Sequence, residues 1–458
     1  MPRRGALLLL VAVAVALAPA AARAADPGVA DASPSPGPSS IELQLAAPPE
    51  DVSPPTLTEV DERLQRTESL VLNRQPALTW GGYIDIGFFA PTGDGAGYVQ
   101  DFGHALYPQY AGRYGWVFLG DILSTAINSR GEVADLGDAP GVARYDGINS
   151  GGAPGFIANE VNLALRARIS ATSVATASLN VTPRTGSNFA LGDMLDLDIA
   201  QVEWLPTVSQ RTSVFAGKMD SVLGIEYRER KANRRFGITP SLIARYTTGP
   251  ALGVKVRSKF GSNDWLVVAA ALTNGSNTVE QFHFYDEIDV NAAKTASGRV
   301  SAGLPIAESA NIELGLSGSY GGQDRSRFSD GIMWFVGPDL LAHFGAVDVK
   351  AQWLAGRAPG SALEDVYGLR LHGGGYLELD WMLNSSVGVM GRGEYRNAEV
   401  WLSDERLYLT KSWRATIGGR IVFNEHAVLK AELLHNGEYG GLPQIRNDVY
   451  TSSLVLSY

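Results

Sequence analysis

The chain has 458 residues, of which 45% are hydrophobic, only 19% are charged and 52 are glycine, and its formal net charge is −10. That acidic balance argues against nucleic-acid binding as the main role. With no cysteine in the chain, there is no disulfide framework and no lipobox for a lipid anchor.

Residues 1–24 have the three parts of a secretory signal. Arg3 and Arg4 are a basic start, residues 6–18 (ALLLLVAVAVALA) an apolar run of 13, and Ala22-Arg23-Ala24 a small-x-small cleavage site. The run is shorter than the ~20 residues a transmembrane helix needs. Cleavage after Ala24 removes three arginines and takes the net charge from −10 to −13. Beyond Ala24 no run of 18 apolar residues occurs, so no transmembrane helix is expected.

Residues 25–56 hold eight prolines among many Ala and Ser, which predicts a disordered linker unable to bury enough apolar surface to fold. Residues 57–76 read as a short periplasmic amphipathic helix, with Leu57, Val60, Leu64, Thr67 and Val71 at spacings of three and four. Two readings stay open for it, a small trimerising coil or a linker helix packed on a rim. About two heptads do not sustain a coiled coil alone.

From residue 77 to 458 the pattern changes to alternation. Leu377, Leu379 and Trp381 oppose Arg370, His372, Tyr376, Glu378 and Asp380. Val387 and Val389 oppose Met390, Arg392, Glu394 and Arg396, and Trp413, Ala415 and Ile417 oppose Arg414, Thr416 and Arg420. This is the period of strands, not helices. A soluble sheet with one wet face also alternates. Three features favour a membrane barrel. The segments are as long as the ~9–11 residues of a tilted membrane strand. Aromatics such as Trp80, Tyr83, Trp204, Tyr246, Trp381, Trp413 and Tyr450 recur near segment ends, as interfacial girdles require. The chain also ends inside a strand, at Tyr458.

The segments number sixteen: 79–89, 156–169, 173–184, 195–206, 211–222, 243–260, 263–275, 295–306, 310–322, 330–344, 346–358, 366–383, 385–402, 405–423, 426–440 and 446–458. The predicted fold class is all-β, a transmembrane antiparallel β-barrel of about sixteen strands preceded by the short helix, with fourteen to eighteen open. Long and short connections alternate, and the one at 403–404 is too short for that pattern, which predicts a misplaced boundary. Segment 116–128 is a candidate for a further strand or a lumen-inserted helix.

Sixteen strands leave an aqueous channel. A charge at mid-depth in hydrocarbon costs roughly 2–4 kcal/mol, so the charged face must be the inner one. Arg370, Glu378, Asp380, Arg392, Glu394, Arg396, Arg414 and Arg420 are therefore candidate pore-lining residues. The densest charge run is 227–235 (YRERKANRR), in the third surface loop, with Arg228, Arg230, Lys231, Arg234 and Arg235 against Glu229. It reads either as a basic constriction that favours anions or as a solvated basic loop. Lys218 and Asp220, just before it, are placed on one strand face lining the same zone. The first loop, residues 90–155, is long and aromatic and reads as a lid, a plug or a rim segment. The six histidines have no metal spacing, no hydrolase motif occurs, and no cofactor or catalytic site is expected.

Two stretches carry a resemblance to a known family. Gly217-Lys218-Met219-Asp220, Gly224-Ile225-Glu226, Pro240 and Tyr246-Thr247-Thr248-Gly249, closed by Gly253-Val254-Lys255-Val256, resemble the outer-membrane β-barrel porin family known as OmpL-like. Gly81-Gly82-Tyr83-Ile84-Asp85 is similar to that family's opening strand. The resemblance implies passive outer-membrane transport with no agreed substrate, and marks Lys218, Asp220 and Glu226 as pore or loop-anchor positions. The expected function is a porin for small hydrophilic or charged solutes. The alternative is a non-conducting surface barrel (an adhesin, receptor or anchor) acting through its first loop. Expected partners are outer-membrane lipid and lipopolysaccharide, the barrel-assembly machinery engaging the strand that ends at Tyr458, and further copies in a homotrimer.

Overall fold

The structure is a computed structural model. It describes residues 78–91, 126–127, 155–181, 195–206, 211–220, 222–247, 250–261, 263–274, 292–307, 309–322, 332–358, 367–402, 405–440 and 448–458. The expected signal, linker and short helix lie outside the described residues, as does the first loop apart from Ala126–Ile127.

Sixteen long strands follow one another: β1 (Leu78–Pro91), β2 (Gly155–Ser170), β3 (Ser173–Val181), β4 (Leu195–Trp204), β5 (Thr212–Asp220), β6 (Pro250–Phe260), β7 (Leu266–Asn274), β8 (Lys294–Ala307), β9 (Ala310–Gly322), β10 (Ile332–Phe344), β11 (Val347–Ala358), β12 (Tyr367–Met382), β13 (Val387–Leu402), β14 (Glu405–Asn424), β15 (Ala427–Glu438) and β16 (Val449–Ser457). Each pairs antiparallel with the next, and β1 also pairs with β16, from Tyr83 opposite Ser457 to Pro91 opposite Val449. The sheet is thus a closed barrel with no free edge. Closure is what hydrocarbon demands of a sheet, since an open edge would leave N–H and C=O groups unpaired. A two-residue segment, Ala126–Ile127, adds onto Leu409 and Thr410 of β14.

The two faces separate as the alternation predicts. Leu163, Leu165, Leu197, Val254, Leu314, Leu316, Leu377, Leu379, Ile417 and Leu433 point outward and are exposed. Asn162, Ser178, Ser297, Ser301, Ser317, Glu378, Asp380, Thr416 and Thr451 are buried on the lumen side. An apolar outside around a polar inside is stable only in a bilayer, and in a strand-built protein that bilayer is the outer membrane. Trp80 and Tyr458 meet at 5.6 Å between ring centroids where the first and last strands join. Short turns use local chemistry. The Asn384 side chain accepts from Ser386 N at 2.8 Å and Val387 N at 2.9 Å, and Asn424 accepts from His426 N at 2.8 Å. Gly345, at φ 64°, makes the β10–β11 turn in the left-handed region.

Several expectations are corrected. Residues 243–247 are not strand; Ala244–Thr247 is one helical turn inside the barrel, and β6 begins at Pro250. The boundary at 403–404 was not misplaced. β13 ends at Leu402 and β14 begins at Glu405, forming a tall hairpin whose second strand has 20 residues. Tyr83 and Tyr246 are not girdle residues: both are fully buried in the lumen, where the Tyr83 hydroxyl donates to Glu160 at 2.8 Å. Arg370 is not lumen-lining. The β12–β13 ladder shifts register between Leu371 and Gly373. Such a bulge inverts the faces. Above it Leu369 and Leu371 are buried inside while Arg370 and His372 are exposed.

Candidate functional site

The connection from β5 to β6 does not rise into solvent. Residues 222–247 fold into the barrel, with Val222, Leu223, Ile225, Phe236, Ile238, Leu242, Ile243 and Tyr246 all buried. A loop taken out of bulk water must have its backbone groups paired, and the barrel wall supplies the partners. On the outgoing arm, Gly224 N donates to Ser317 Oγ on β9 and Ile225 N to Gln352 Oε1 on β11, both at 2.9 Å. Gly224 sits at φ 73°, and a Cβ there would collide with the Gln352 amide. A 3-10 turn, Glu226–Glu229, follows.

The return arm is held more tightly. Glu432 on β15 accepts from Ile238 N at 2.5 Å, Thr239 N at 3.0 Å and Thr239 Oγ1 at 2.7 Å. Lys430, one inward position away, donates to the carbonyls of Ala232 at 2.7 Å, Gly237 at 3.0 Å and Arg235. Glu394 on β13 accepts from Leu242 N at 2.6 Å, and Arg392 donates to Thr239 Oγ1 at 2.9 Å. Within the loop, Glu226 binds Ser241 N at 2.7 Å and Ser241 Oγ at 2.5 Å, fastening the two arms together. Apolar contacts finish the seat: Tyr246 stacks on Phe335 at 6.1 Å, and Ile243 packs over Gly374 beside Leu371.

The loop's cations meet carboxylates. Arg230 contacts Asp198 on β4 and Asp220 at the end of β5, each at 2.5 Å, and Lys231 contacts Asp198 at 3.1 Å. Arg228 lies 3.5 Å from Glu313. The loop's Glu229 contacts Lys350 at 2.6 Å, and Lys350 also contacts Asp380 at 2.9 Å and Glu378 at 3.2 Å. Arg392 bridges Glu394 at 2.8 Å and Glu378 at 3.0 Å. Arg414 donates to Asn436 at 3.0 Å, and Arg420 lies over the Phe236 ring at 4.1 Å. A buried pair of this kind adds little net stability, whereas removing one partner costs ~3–5 kcal/mol. The network therefore fixes where the loop sits. Burial raises the Glu226 carboxyl above its ordinary value, against the two hydrogen bonds from Ser241. Burial also pushes the Tyr227 hydroxyl up, but Arg228, Lys255 and Arg299 outweigh it and bring the hydroxyl below its ordinary value.

The structure gathers most of the predicted residues into this one assembly: Asp220, Glu226, Arg228, Arg230, Lys231, Glu378, Asp380, Arg392, Glu394, Arg414 and Arg420. Arg235 donates to the Arg230 carbonyl at 3.1 Å, and Arg234 is exposed at the loop tip. Arg396 is buried in the wall, its carbonyl accepting from Tyr439 OH at 3.2 Å. Lys218 is not on the lumen side. Phe215 and Met219 take the buried positions of β5, and Lys218 pairs with Leu252, which is exposed on the outer face. Sequence reasoning missed the wall residues that hold the loop, Asp198, Glu313, Lys350, Lys430 and Glu432, and missed Lys255, Arg257, Lys259 and Arg299. For the β6 group the signal was present: V-K-V-R-S-K over residues 254–259 is strict alternation with a cation at every second place. Among the described residues no group of side chains is arranged to hold a metal ion.

No family model matches this chain, and no curated protein matches it. Among solved structures it is similar to the outer membrane channel DcaP of Acinetobacter baumannii, at 8% identity and TM-score 0.49 over 83% of this chain and 97% of that one. It is similar to OmpF of Salmonella typhi, solved with daunomycin, at 8% identity and TM-score 0.49 over 83% and 97%. It is also similar to OmpT of Vibrio cholerae, at 9% identity and TM-score 0.44 over 84% and 99%. These are likenesses of fold alone, and they add nothing to the narrower OmpL-like name.

Proposed function

We propose that the protein is a passive diffusion channel of the outer membrane for small hydrophilic or charged solutes, narrowed by the loop 222–247. The observation that carries this reading is the loop itself, folded into a closed sixteen-strand barrel and tied to β4, β9, β11, β13 and β15 by buried polar contacts. A barrel of this size without such a loop would be a wide aqueous tube, and a loop fixed at one level turns it into a sieve. The fixation is electrostatic and geometric, and no step of it calls for catalysis or a cofactor.

The proposal includes the partners that such a channel needs: the lipid and lipopolysaccharide around its apolar belt, and the assembly machinery acting on β16 up to Tyr458. It also includes two further copies in a homotrimer. The shortest of the sixteen strands, at nine residues each, are β3, β5, β7 and β16, and three of these four fall between β3 and β7. Small outward residues such as Ala175, Ala177, Ala200 and Ala216 lie on this low wall, where a neighbouring copy fits closely. Purified protein in a planar bilayer tests the reading. Unitary current steps that scale with salt concentration are expected. A stably folded barrel that stays silent would overturn the channel in favour of a surface barrel acting through its first loop.

A further inference from the structure

The outer wall carries a depression that diffusion through the lumen does not use. On the lipid-facing side of β9 to β13, Leu314, Leu340, Trp353 and Tyr395 surround a groove of about 600 Å³, within the ~300–1,000 Å³ of ordinary ligand pockets. Its floor is Gly375, Gly393 and Ala351. The Trp353 ring lies against Gly375, where a Cβ would come within 2.8 Å of it, and stacks on Tyr395 at 5.8 Å. Tyr395 stacks in turn on Tyr439 at 5.2 Å. A Cβ at Gly393 would meet nothing within 4 Å, so the depression is open there to the bilayer.

Toward one end of the barrel the outward residues beside this groove are cationic. β11 runs from the tight Gly345 turn toward the longer connection 359–366. Such barrels keep their short turns in the periplasm and their long loops outside, so Arg357 lies at the outer-leaflet end of β11. It stands about 13 Å along the strand from Trp353, at the usual rise per residue. Arg370 is directly opposite Arg357 in the β11–β12 ladder, and the bulge at Leu371–Gly373 leaves it exposed together with His372. Lys411 on β14 stands opposite Asn397, two places from the exposed Trp413 and on the same outward register. Among the described outward side chains at this end of β10 to β14, the carboxylate is Glu399, opposite Arg370 and 3.5 Å from His372. Like charges directly opposite across a ladder are destabilising, and an anion held between Arg357 and Arg370 removes that cost.

We propose that this face seats one lipopolysaccharide molecule of the outer leaflet, with a phosphate of its lipid A held among Arg357, Arg370 and Lys411 and an acyl chain lying in the groove over Gly375 and Gly393. The layout is that of an amphiphile, with charge at the headgroup level and an apolar trough running from it into the hydrocarbon. Guanidinium groups suit phosphate because each presents a fork of donors to its oxygens. The positive balance of the face favours a polyanionic lipid over a second copy, whose outward belt is apolar. This makes specific the lipid contact of the reading above and rests on that part of it alone. A barrel silent in a planar bilayer would fail as a channel and still hold the lipid.

The test is native mass spectrometry of the whole protein, released from detergent after addition of bisphosphorylated lipid A. Wild type should retain one lipid A per chain. The R357Q/K411Q variant should bind it more weakly by roughly fivefold per cation removed, the factor for a basic side chain at an anionic membrane surface. Gly393→Leu, which fills the groove and leaves every charge in place, should also lose binding. Lipid A stripped of its phosphates, and phosphatidylglycerol with its single phosphate, should both bind more weakly than intact lipid A. Unchanged affinity in a folded, heat-modifiable R357Q/K411Q variant overturns the proposal. So does equal retention of phosphatidylglycerol, which would make the face a general anionic-lipid surface. So does a Gly393→Leu variant that loses contact between chains instead of lipid, which would assign the groove to a second copy. Should R357Q/K411Q not fold, the dephosphorylated lipid decides on wild type: retention equal to that of intact lipid A overturns the proposal.

Discussion

The two sides of this lumen are built by the same alternation and do opposite work. From β9 to β15 the inward face carries many long charged side chains, and several of them contact the loop directly. Lys350, Glu378, Asp380, Arg392 and Glu394 form a bed of opposite charges in direct contact, and Lys430 and Glu432 bind the loop's carbonyl and N–H groups. From β5 to β8 the floor is alanine and serine, and its cations Lys255 and Arg257 lie against a ring and a carbonyl. Charge density alone is therefore a poor guide to selectivity in such a barrel. A buried, paired charge positions a loop, whatever its sign.

The comparison breaks most visibly where the bed is strongest. Glu432→Ala removes the acceptor for two buried N–H groups and one hydroxyl of the return arm. At ~1–3 kcal/mol per stranded donor, the seat of the return arm should weaken by ~3–6 kcal/mol. The expected outcome is a larger and noisier unitary conductance with the barrel still heat-modifiable; an unchanged conductance would show that the loop is held by its other contacts. Asp198→Asn sharpens the comparison at smaller cost. Asparagine keeps an acceptor near Arg230 and Lys231, so the loss is about 2 kcal/mol, but one compensating charge is gone. Anion preference should rise by roughly threefold at low salt, measured as reversal potential. If it does not rise, the loop's cations were never neutralised by the wall.

How much of this was legible in the sequence follows from what each residue answers to. Strand positions answer to the bilayer. Lipid outside and water inside impose period two, and all sixteen strands were readable from it, most within two residues of their ends. The inner face was legible as polar, and Glu378, Asp380, Arg392, Glu394, Arg414 and Arg420 stand where alternation put them. It failed where local geometry breaks the period. The bulge at Leu371–Gly373 turned Arg370 outward, and the buried places of Phe215 and Met219 left Lys218 on the outer register. Ile243 and Tyr246 made residues 243–247 read as strand, yet they meet Leu371 and Phe335 inside the lumen. That partner is distant in sequence and invisible to any local pattern. The basic run at 227–235 was visible at once, but its compensation by Asp198 and Asp220 required the fold.

The smallest expected effect concerns the loop residue Tyr227, which faces Lys255 of β6. Tyr227 lies among Arg228, Lys255 and Arg299, which together lower its hydroxyl below the ordinary tyrosine value despite burial, a value of ~10 in model peptides. As pH rises toward that value, the folded protein releases this proton before the unfolded chain does. The folded state then binds fewer protons, so ionisation adds stability with rising pH instead of costing it. It also sets a negative charge beside Lys255. Anion preference should therefore fall on the alkaline side in wild type, by at most about threefold, the factor for one charge at ~6 Å in water. Tyr227→Phe should lack that component while keeping the neutral-pH preference, since the ring remains and only the ionisable hydroxyl is lost. Comparing the two across the alkaline range removes the contribution of lysine deprotonation, which both share. Parallel pH profiles would place Tyr227 outside the field of the β6 cations.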